Sequence, residues 1–488
     1  MPLVSHPALL STPTALRMPA LFTRLTWLLF AASVGLLVWG PTPDWAQGSV
    51  LHVDGLTRIM AAVTTFVSGI VHSFSRRYMA GAKRLNGFFA RLFGLMLVVL
   101  LMTAANHLVL FVAAWAAMGW LLADLIGHVR GWPQARAAAR VARWHFLGGS
   151  ALVAIALGLL GGRVGTWTIE GVLAGLPGLS TPLVAAAALL LLAAAMVQSA
   201  LVPFHRWLLS SMTAPTPVSG FMHAGLVNAG GILLARFAPV VFELPAVMLG
   251  ILVAGSVSAL LGQAWMLVQT DVKRQLGTST VAQMGFMVLQ CGLGLIPAAI
   301  THLLLHGFYK AYLFLAAGSA VTPTQPPEPE TASSSLVHTA VAWASAGAGG
   351  LLFAVLTGKS LWLPDSGALL ILFVVLAVLH ATRTVVRRAA LSAPVRLWAV
   401  PTLVLSALGV YAAVYTGVAA LLAPLPMAVV HVPLTPVHWA VAGLFVAAYV
   451  ATERGWHQRS PRLYVALVNS SRPVPTTLLH NRDQYNAY

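Results

Sequence analysis

Apolar runs of about twenty residues recur along nearly the whole chain, each parted from the next by a short polar or basic stretch. An α-helix needs about that length to cross a hydrocarbon core of about 30 Å. Fourteen spans are predicted, at about residues 21–40, 53–74, 87–105, 107–127, 145–162, 181–202, 217–237, 244–268, 277–294, 298–320, 336–356, 366–386, 398–420 and 435–452. The runs are rich in Ala and Gly and lack long alternating segments. In lipid every backbone polar group must be bonded internally, so the predicted fold class is an all-α polytopic membrane protein and not a barrel.

The polar punctuation sets an orientation. With the N-terminus inside, alternate loops carry Arg76, Arg77, Lys83 and Arg84; then Arg130, Arg136, Arg140 and Arg143; then Arg206; then Lys273 and Arg274; then Arg387, Arg388 and Arg396. The opposite loops are poor in cations: residues 41–50 and 421–436 have no Lys or Arg, and 163–180 has only Arg163. The positive-inside rule therefore predicts N-in and C-in. Arg17 and Arg24 accompany the first run with no small-residue cleavage site after it, so that run is read as a retained helix and not a signal peptide. Residues 322–335, "TPTQPPEPETASSS", read as a loop. Residues 1–452 read as the membrane domain and 453–488 as a polar cytoplasmic tail, in which Leu463–Val468 is either a short docking element or part of a disordered end.

Composition agrees with the pattern. Hydrophobic residues make up 59% of the chain and charged residues 8%, against roughly 25% charged in soluble domains; the mean hydropathy is +0.85. The net charge of +17 does not signal nucleic-acid binding, because the arginines are scattered singly or in pairs between apolar runs. The single cysteine, Cys291, excludes an internal disulfide and any Cys-rich metal or iron–sulfur site.

Three polar constellations stand inside or beside the spans. In "THLLLHGFYKAYLF", residues 301–314, His302, His306 and Lys310 fall within an arc of about 80° and rise about 12 Å along one helix. An ionisable group at the bilayer centre costs at least about 2.5–3.5 kcal/mol and normally faces a protein interior or a wet cavity. A single stripe of two histidines and a lysine is chemistry for handing protons along the membrane normal; the competing reading is histidines bonded to loop carbonyls and a snorkelling lysine. The second constellation is "VPFHRWLLSSMTAPTPVSGFMHAGLVNAGGILLAR", residues 202–236. Its span holds Gly220, His223, Gly225, Asn228, Gly230 and Gly231, a density that permits a locally unwound helix with freed carbonyls. Close helix packing through small residues is the alternative. The third, "LVQTDVKRQLGTSTVAQMGF", places Asp271 beside Lys273 and Arg274 at a cytoplasmic helix end, a structural pair.

"PFHRWL", "APTPVSGFMHAG", "VQTDVKRQLGTST" and "HLLLHGFYKAYLFLAAGS" resemble, in order and spacing, the antiporter-like subunits of respiratory complex I and the Mrp-type cation/proton antiporters, over roughly residues 50 to 390. The resemblance implies two inverted helix repeats, each with a discontinuous helix. It also implies that His302, His306 and Lys310 match the relay of the second repeat and His223 the broken-helix histidine of the first. The resemblance also implies that "LTGKSLW" places Lys359 near the family's later channel lysine. Two departures stand against it. Where such members carry a glutamate within "GWE", "FVAAWAAMGW" has Ala116; where they carry the lysine of "GKSA", this chain reads "VQSA", with Gln198. Asp124, eight residues beyond Ala116, either substitutes for that charge or ends the helix at the cytoplasmic side. No room is expected after residue 390 for the lateral helix of the distal complex I subunit.

"MHAGLVNAGGILLAR", the shortened C-terminal half and a tail of the form "LYVALVNSSRP…NRDQY" look like the DabB family, membrane subunits of the two-component inorganic carbon accumulation complexes of bacteria. That resemblance implies a bacterial inner-membrane protein and a DabA-like zinc partner, related to β-carbonic anhydrases, at the cytoplasmic face. Zinc would then belong to the partner, and no cofactor is expected in this chain, which offers no Cys/His/Asp cluster at metal-ligand spacing. "GKS" at 358–360 is not a Walker loop, since Phe353 stands where its first glycine is required, and no GxSxG or HExxH occurs. The expectation is a cation-conducting subunit, with the proton as the cation, and not an enzyme. The rival readings are a cation/proton antiporter or complex I-like subunit, and a non-conducting membrane anchor.

Overall fold

The structure is a computed structural model that describes residues 17–39, 48–320, 336–360, 362–386, 392, 394–426, 430 and 432–478. The loop 322–335, Arg387, Arg388 and the tail beyond residue 478 lie outside the described residues.

The chain divides into two compact units: Met1–Ala229 with His306–Ala317 and Arg472–Tyr488, and Gly230–Leu305 with Gly318–Ser471. In the first lie α1 (Arg17–Trp39), α2 (Gly55–Tyr78), α3 (Leu85–Ala104), α4 (Leu108–Ile126), α5 (Pro133–Val164), α6 (Ile169–Ala174), α7 (Thr181–Gln198), α8 (Arg206–Ser210) and α9 (Thr216–Ala224). α10 (Ala229–Arg236) begins at the division, and the second unit continues with α11 (Ala238–Phe242), α12 (Pro245–Met266) and α13 (Val272–Gly292). α14 (Ile296–Ala316) belongs to both units. The second unit then adds α15 (Leu336–Thr357), α16 (Ser366–Val386), α17 (Val400–Leu422), α18 (Pro436–Glu453), α19 (Trp456–Arg459) and α20 (Pro461–Ser470). Extended pairing among the described residues is limited to isolated bridges such as Leu51 to Ala105 and His107 to Thr168.

Every predicted span coincides with helix. Among the described residues eleven helical segments are long and apolar enough to cross a membrane. The remaining three predicted spans are α13, α14 and α18, which carry more polar residues: Thr278, Thr280 and Gln290 on α13, His306 and Lys310 on α14, and His438 on α18 are all buried. α5 begins at Pro133, a turn-forming residue suited to a first helical position, and so starts well before the predicted residue 145. Its Arg136, Arg140 and Arg143 lie on helix, not in a loop.

Caps explain several boundaries. Asp54 accepts from the Thr57 backbone at the start of α2, and Asp271 accepts from Arg274 N at 2.8 Å to start α13. Asp271 therefore caps α13 at the helix end where the sequence placed it. In the second unit α12 and α13 pack through Gly255 and Gly285, each set against the other's backbone so closely that no side chain fits. The start of the tail is ordered too: Trp265 Nε1 donates to Ser470 Oγ at 2.8 Å, Gln269 Nε2 to Ser471 Oγ at 2.9 Å, and Leu467 of α20 is buried. In the first unit the Val474 N–H donates to Ser210 Oγ at 3.0 Å.

Candidate ion-conducting site

The seventh predicted span is broken. α9 ends at Ala224, Gly225 takes φ −130° and ψ −54°, a single 3₁₀ turn covers Leu226–Asn228, and α10 starts at Ala229. Such a break frees backbone carbonyls from the i→i−4 ladder. Side chains meet them. Asn228 Nδ2 donates to Ala224 O at 2.8 Å, Gln198 Nε2 to Leu226 O at 3.1 Å and Ser199 Oγ to Val227 O at 2.7 Å. Gln198, Ser199, Asn228 and His223 are all no more than 1% exposed. Asn228 Oδ1 is buried with no hydrogen-bond partner among the described residues, which leaves one acceptor at the break.

α14 presents its polar stripe in the predicted register. Lys310 is 1% exposed and His306 is buried, whereas Tyr309 and Tyr312, on other faces of the helix, are exposed. His302 is half-buried and lies in the second unit, where its ring meets Phe286 at 5.5 Å. In the first unit, α14 runs against the break itself. A Cβ added at Gly307 would lie 2.5 Å from Ala224 O, so only glycine lets the backbone beside His306 come this close to the unwound turn. The His223 ring stacks on Phe314, two turns along from Gly307, at 4.2 Å and 17°.

The other expected residues stand apart from this arrangement. Ala116, where the family's glutamate is expected, is half-buried in the middle of α4. Asp124 is in the last turn of α4 and pairs with Arg91 Nη1 at 2.5 Å. Arg91 also reaches His128 Nδ1 at 3.3 Å. Burial first, then the Arg91 guanidinium, pull the His128 pKa from its ordinary 6.5 to about 4, with Asp124 opposing. Lys359 lies in the second unit, just beyond α15, with Nζ 5.7 Å from the centre of the Tyr415 ring. Burial holds its pKa below the usual lysine value while Asp365 opposes. Among the described residues no group of three or more His, Cys, Asp or Glu side chains is placed to hold a metal ion.

Sequence reasoning passed over two partners. Ser199 was legible as the polar neighbour of Gln198 in "VQSA". Arg91 gave no such sign, since one arginine near the start of a span looks like any other cytoplasmic anchor.

Residues 105–397, more than half of the chain, match the family described as "NADH:quinone oxidoreductase/Mrp antiporter, TM". The chain belongs to this antiporter family. Residues 39–89 also match the N-terminal region of chain 5 of NADH–ubiquinone oxidoreductase (complex I). Among relatives of this antiporter family, the chain is 39% identical over 290 residues to the probable inorganic carbon transporter subunit DabB1 of Halothiobacillus neapolitanus, covering 57% of this chain and 52% of the relative. It is 36% identical over 356 residues to the probable inorganic carbon transporter subunit DabB of Bacillus subtilis, covering 72% and 68%. It is 36% identical over 292 residues to NADH-quinone oxidoreductase subunit L of Escherichia coli, covering 59% and 47%. The chain thus spans about half the length of the Halothiobacillus subunit. The Mrp complex from Dietzia sp. DQ12-45-1b shares the fold, with a TM-score of 0.59 at 22% identity over 96% of this chain and 52% of that one. A multi-pass, antiporter-like membrane protein follows.

Proposed function

We propose that this chain is the cation-conducting membrane subunit of an energy-coupled inorganic carbon uptake complex in the bacterial inner membrane. The ion is the proton. The observation that carries the reading is Lys310, a lysine 1% exposed in a membrane helix, in register with His302 and His306 and beside a glycine that meets the helix break. A buried lysine that only anchored the helix would snorkel to the interface; held inside, its ammonium is chemistry for taking up and releasing a proton. His223, at the break, and Lys359, in the second unit, are the further stations, with Asn228 and Gln198 setting the polarity of the break and Asp124 in an accessory role at the helix end.

In the N-in, C-in arrangement the relay runs along the membrane normal. Each charge moving across 100 mV supplies about 2.3 kcal/mol, a ratio of roughly fifty, which suffices to make carbon dioxide hydration one-way. The hydration itself is assigned to a DabA-like zinc partner, related to carbonic anhydrases, at the cytoplasmic face. The names of the relatives from Halothiobacillus and Bacillus support the carbon substrate. Ala116 and Gln198 speak against a complex I-type pump, because the first repeat lacks the charged pair such pumps use. A non-conducting anchor is the second reading, favoured by the side chains that occupy the carbonyls at the break.

Expression of the chain with its zinc partner in a carbonic-anhydrase-deficient host tests partner, substrate and energy source together. Growth in air that an uncoupler abolishes is the expected result. Growth indifferent to the uncoupler would leave the chain as an anchor, and purification with a quinone-reducing assembly would make it a complex I-like subunit.

A further inference from the structure

Where α1 begins and α2 ends, at the cytoplasmic side in the N-in arrangement, the packing of the two helices opens. Toward the membrane interior it is tight. A Cβ added at Gly69 of α2 would stand 2.9 Å from Trp27 Cε2 of α1, and Trp27 Nε1 donates to Ser73 Oγ at 3.0 Å. One turn further along α2 this contact gives way to a cavity of about 390 Å³. Its walls are Pro19 of α1, Ser73, Arg76 and Arg77 of α2, and Leu85, the first residue of α3. The volume falls within the roughly 300–1,000 Å³ of small-molecule sites.

Two guanidiniums stand at this cavity with no carboxylate to match them. Between Asp54, at the other end of α2, and Asp124 the chain holds no acidic residue, and Asp124 is taken by Arg91. Asp54 is 22 residues from Arg76, about 33 Å along the helix. Among the described residues neither Arg76 nor Arg77 forms an ion pair. The carbonyl end of α2 offsets only about half a unit charge, against two on the arginines. Helix-end electrostatics therefore leave most of the positive charge uncompensated. The next turn adds Lys83 and Arg84, and α3 starts without a side-chain cap or an acidic residue in its first turn.

Guanidinium forks match phosphate oxygens in geometry as well as charge. Both arginines are exposed, so a ligand reaches them. The seam between α1 and α2 beyond the cavity is apolar: the rings of Trp27, Phe30 and Phe66 meet there with centres 5.2 to 6.2 Å apart, and all three are only half-buried. A phosphate that carries acyl chains has a surface for them here, which a free phosphate ion does not need. The lack of a carboxylate also selects the headgroup. The ammonium of a zwitterionic lipid would meet only cations.

We propose that the cavity binds the phosphate of an anionic phospholipid, held by Arg76 and Arg77, with an acyl chain laid along the Trp27–Phe66 seam. Basic pockets between membrane helices on the cytoplasmic side suit such headgroups. The lipid ties α1 to α2 where protein packing leaves space.

The test uses the full chain purified in detergent and titrated with dioleoylphosphatidylglycerol, dioleoylphosphatidylcholine or inorganic phosphate, with bound ligand counted by native mass spectrometry. Phosphatidylglycerol is expected to bind about tenfold more tightly than phosphatidylcholine, the worth of one hydrogen bond to a charged group. The preference should disappear when Arg76→Gln and Arg77→Gln are combined, and persist when Arg76→Lys and Arg77→Lys are combined, which keeps both charges. Arg136→Gln with Arg140→Gln removes the same charge from exposed positions of α5 and is expected to leave the preference intact. Equal loss in the α2 and α5 glutamine pairs would overturn the site, leaving general attraction to a basic surface. Inorganic phosphate bound at Arg76 and Arg77, with no preference between the two lipids, would overturn the lipid as ligand.

Discussion

Gln198 donates its side-chain amide to the carbonyl of Leu226 at 3.1 Å, at the place where α9 gives way to α10. A neutral donor thus sits where the resemblance to complex I-type members implies a lysine, and it binds the break instead of charging it. Gln198→Leu leaves that buried carbonyl short of a donor and is expected to cost about 1–3 kcal/mol, seen as a lower Tm with the fold retained. Gln198→Lys is expected to be worse, because the new ammonium is buried with Ala116 where a carboxylate would have to stand.

Gly307 is the contact between α14 and the break. With a Cβ only 2.5 Å from Ala224 O, Gly307→Ala must push the two backbones apart, an overpacking that typically costs about 1–3 kcal/mol. Thermal unfolding in detergent or nanodiscs measures the loss. Transport should fall further than stability alone explains, since the same shift moves the backbone that carries His306 and Lys310.

Lys310→Arg separates charge from proton transfer. The guanidinium stays protonated at any accessible pH, so the variant preserves a buried cation yet has nothing to hand on. Expression comparable to wild type with transport as low as in Lys310→Ala is the expected outcome. Transport close to wild type in Lys310→Arg would mean that the position needs only a positive charge.

His128, in the connection after α4, gives the fold a pH dependence of known sign. In the folded chain it takes a proton near pH 4, and in the unfolded chain near 6.5, so its share of stability is present above about pH 6.5 and is lost as the pH falls toward 4. His128→Gln should flatten the fall in Tm over that window. Arg91→Gln removes a repelling cation 3.3 Å away and should raise the His128 pKa toward its ordinary value, read by histidine NMR.

Helix existence was the most legible feature of the sequence, because the demand for about twenty apolar residues per crossing leaves no other reading of the runs. The starts of helices were less so: α5 begins twelve residues ahead of its predicted span since Pro133 and its Arg- and Ala-rich first turns form helix without being apolar. The break at Gly225 could be anticipated from glycine density, and the α14 stripe from its register. The partners could not. That Gln198 and Ser199 reach carbonyls some 28 residues away, or that Arg91 joins Asp124 across 33, depends on which helices pack together, which periodicity does not encode.

The most direct test of the account is inorganic carbon accumulated by cells expressing the chain with its zinc partner, compared between wild type and Lys310→Ala with and without an uncoupler. The account predicts accumulation in wild type that the uncoupler abolishes, and none in the variant despite equal amounts of assembled complex. Accumulation in Lys310→Ala equal to wild type would contradict it.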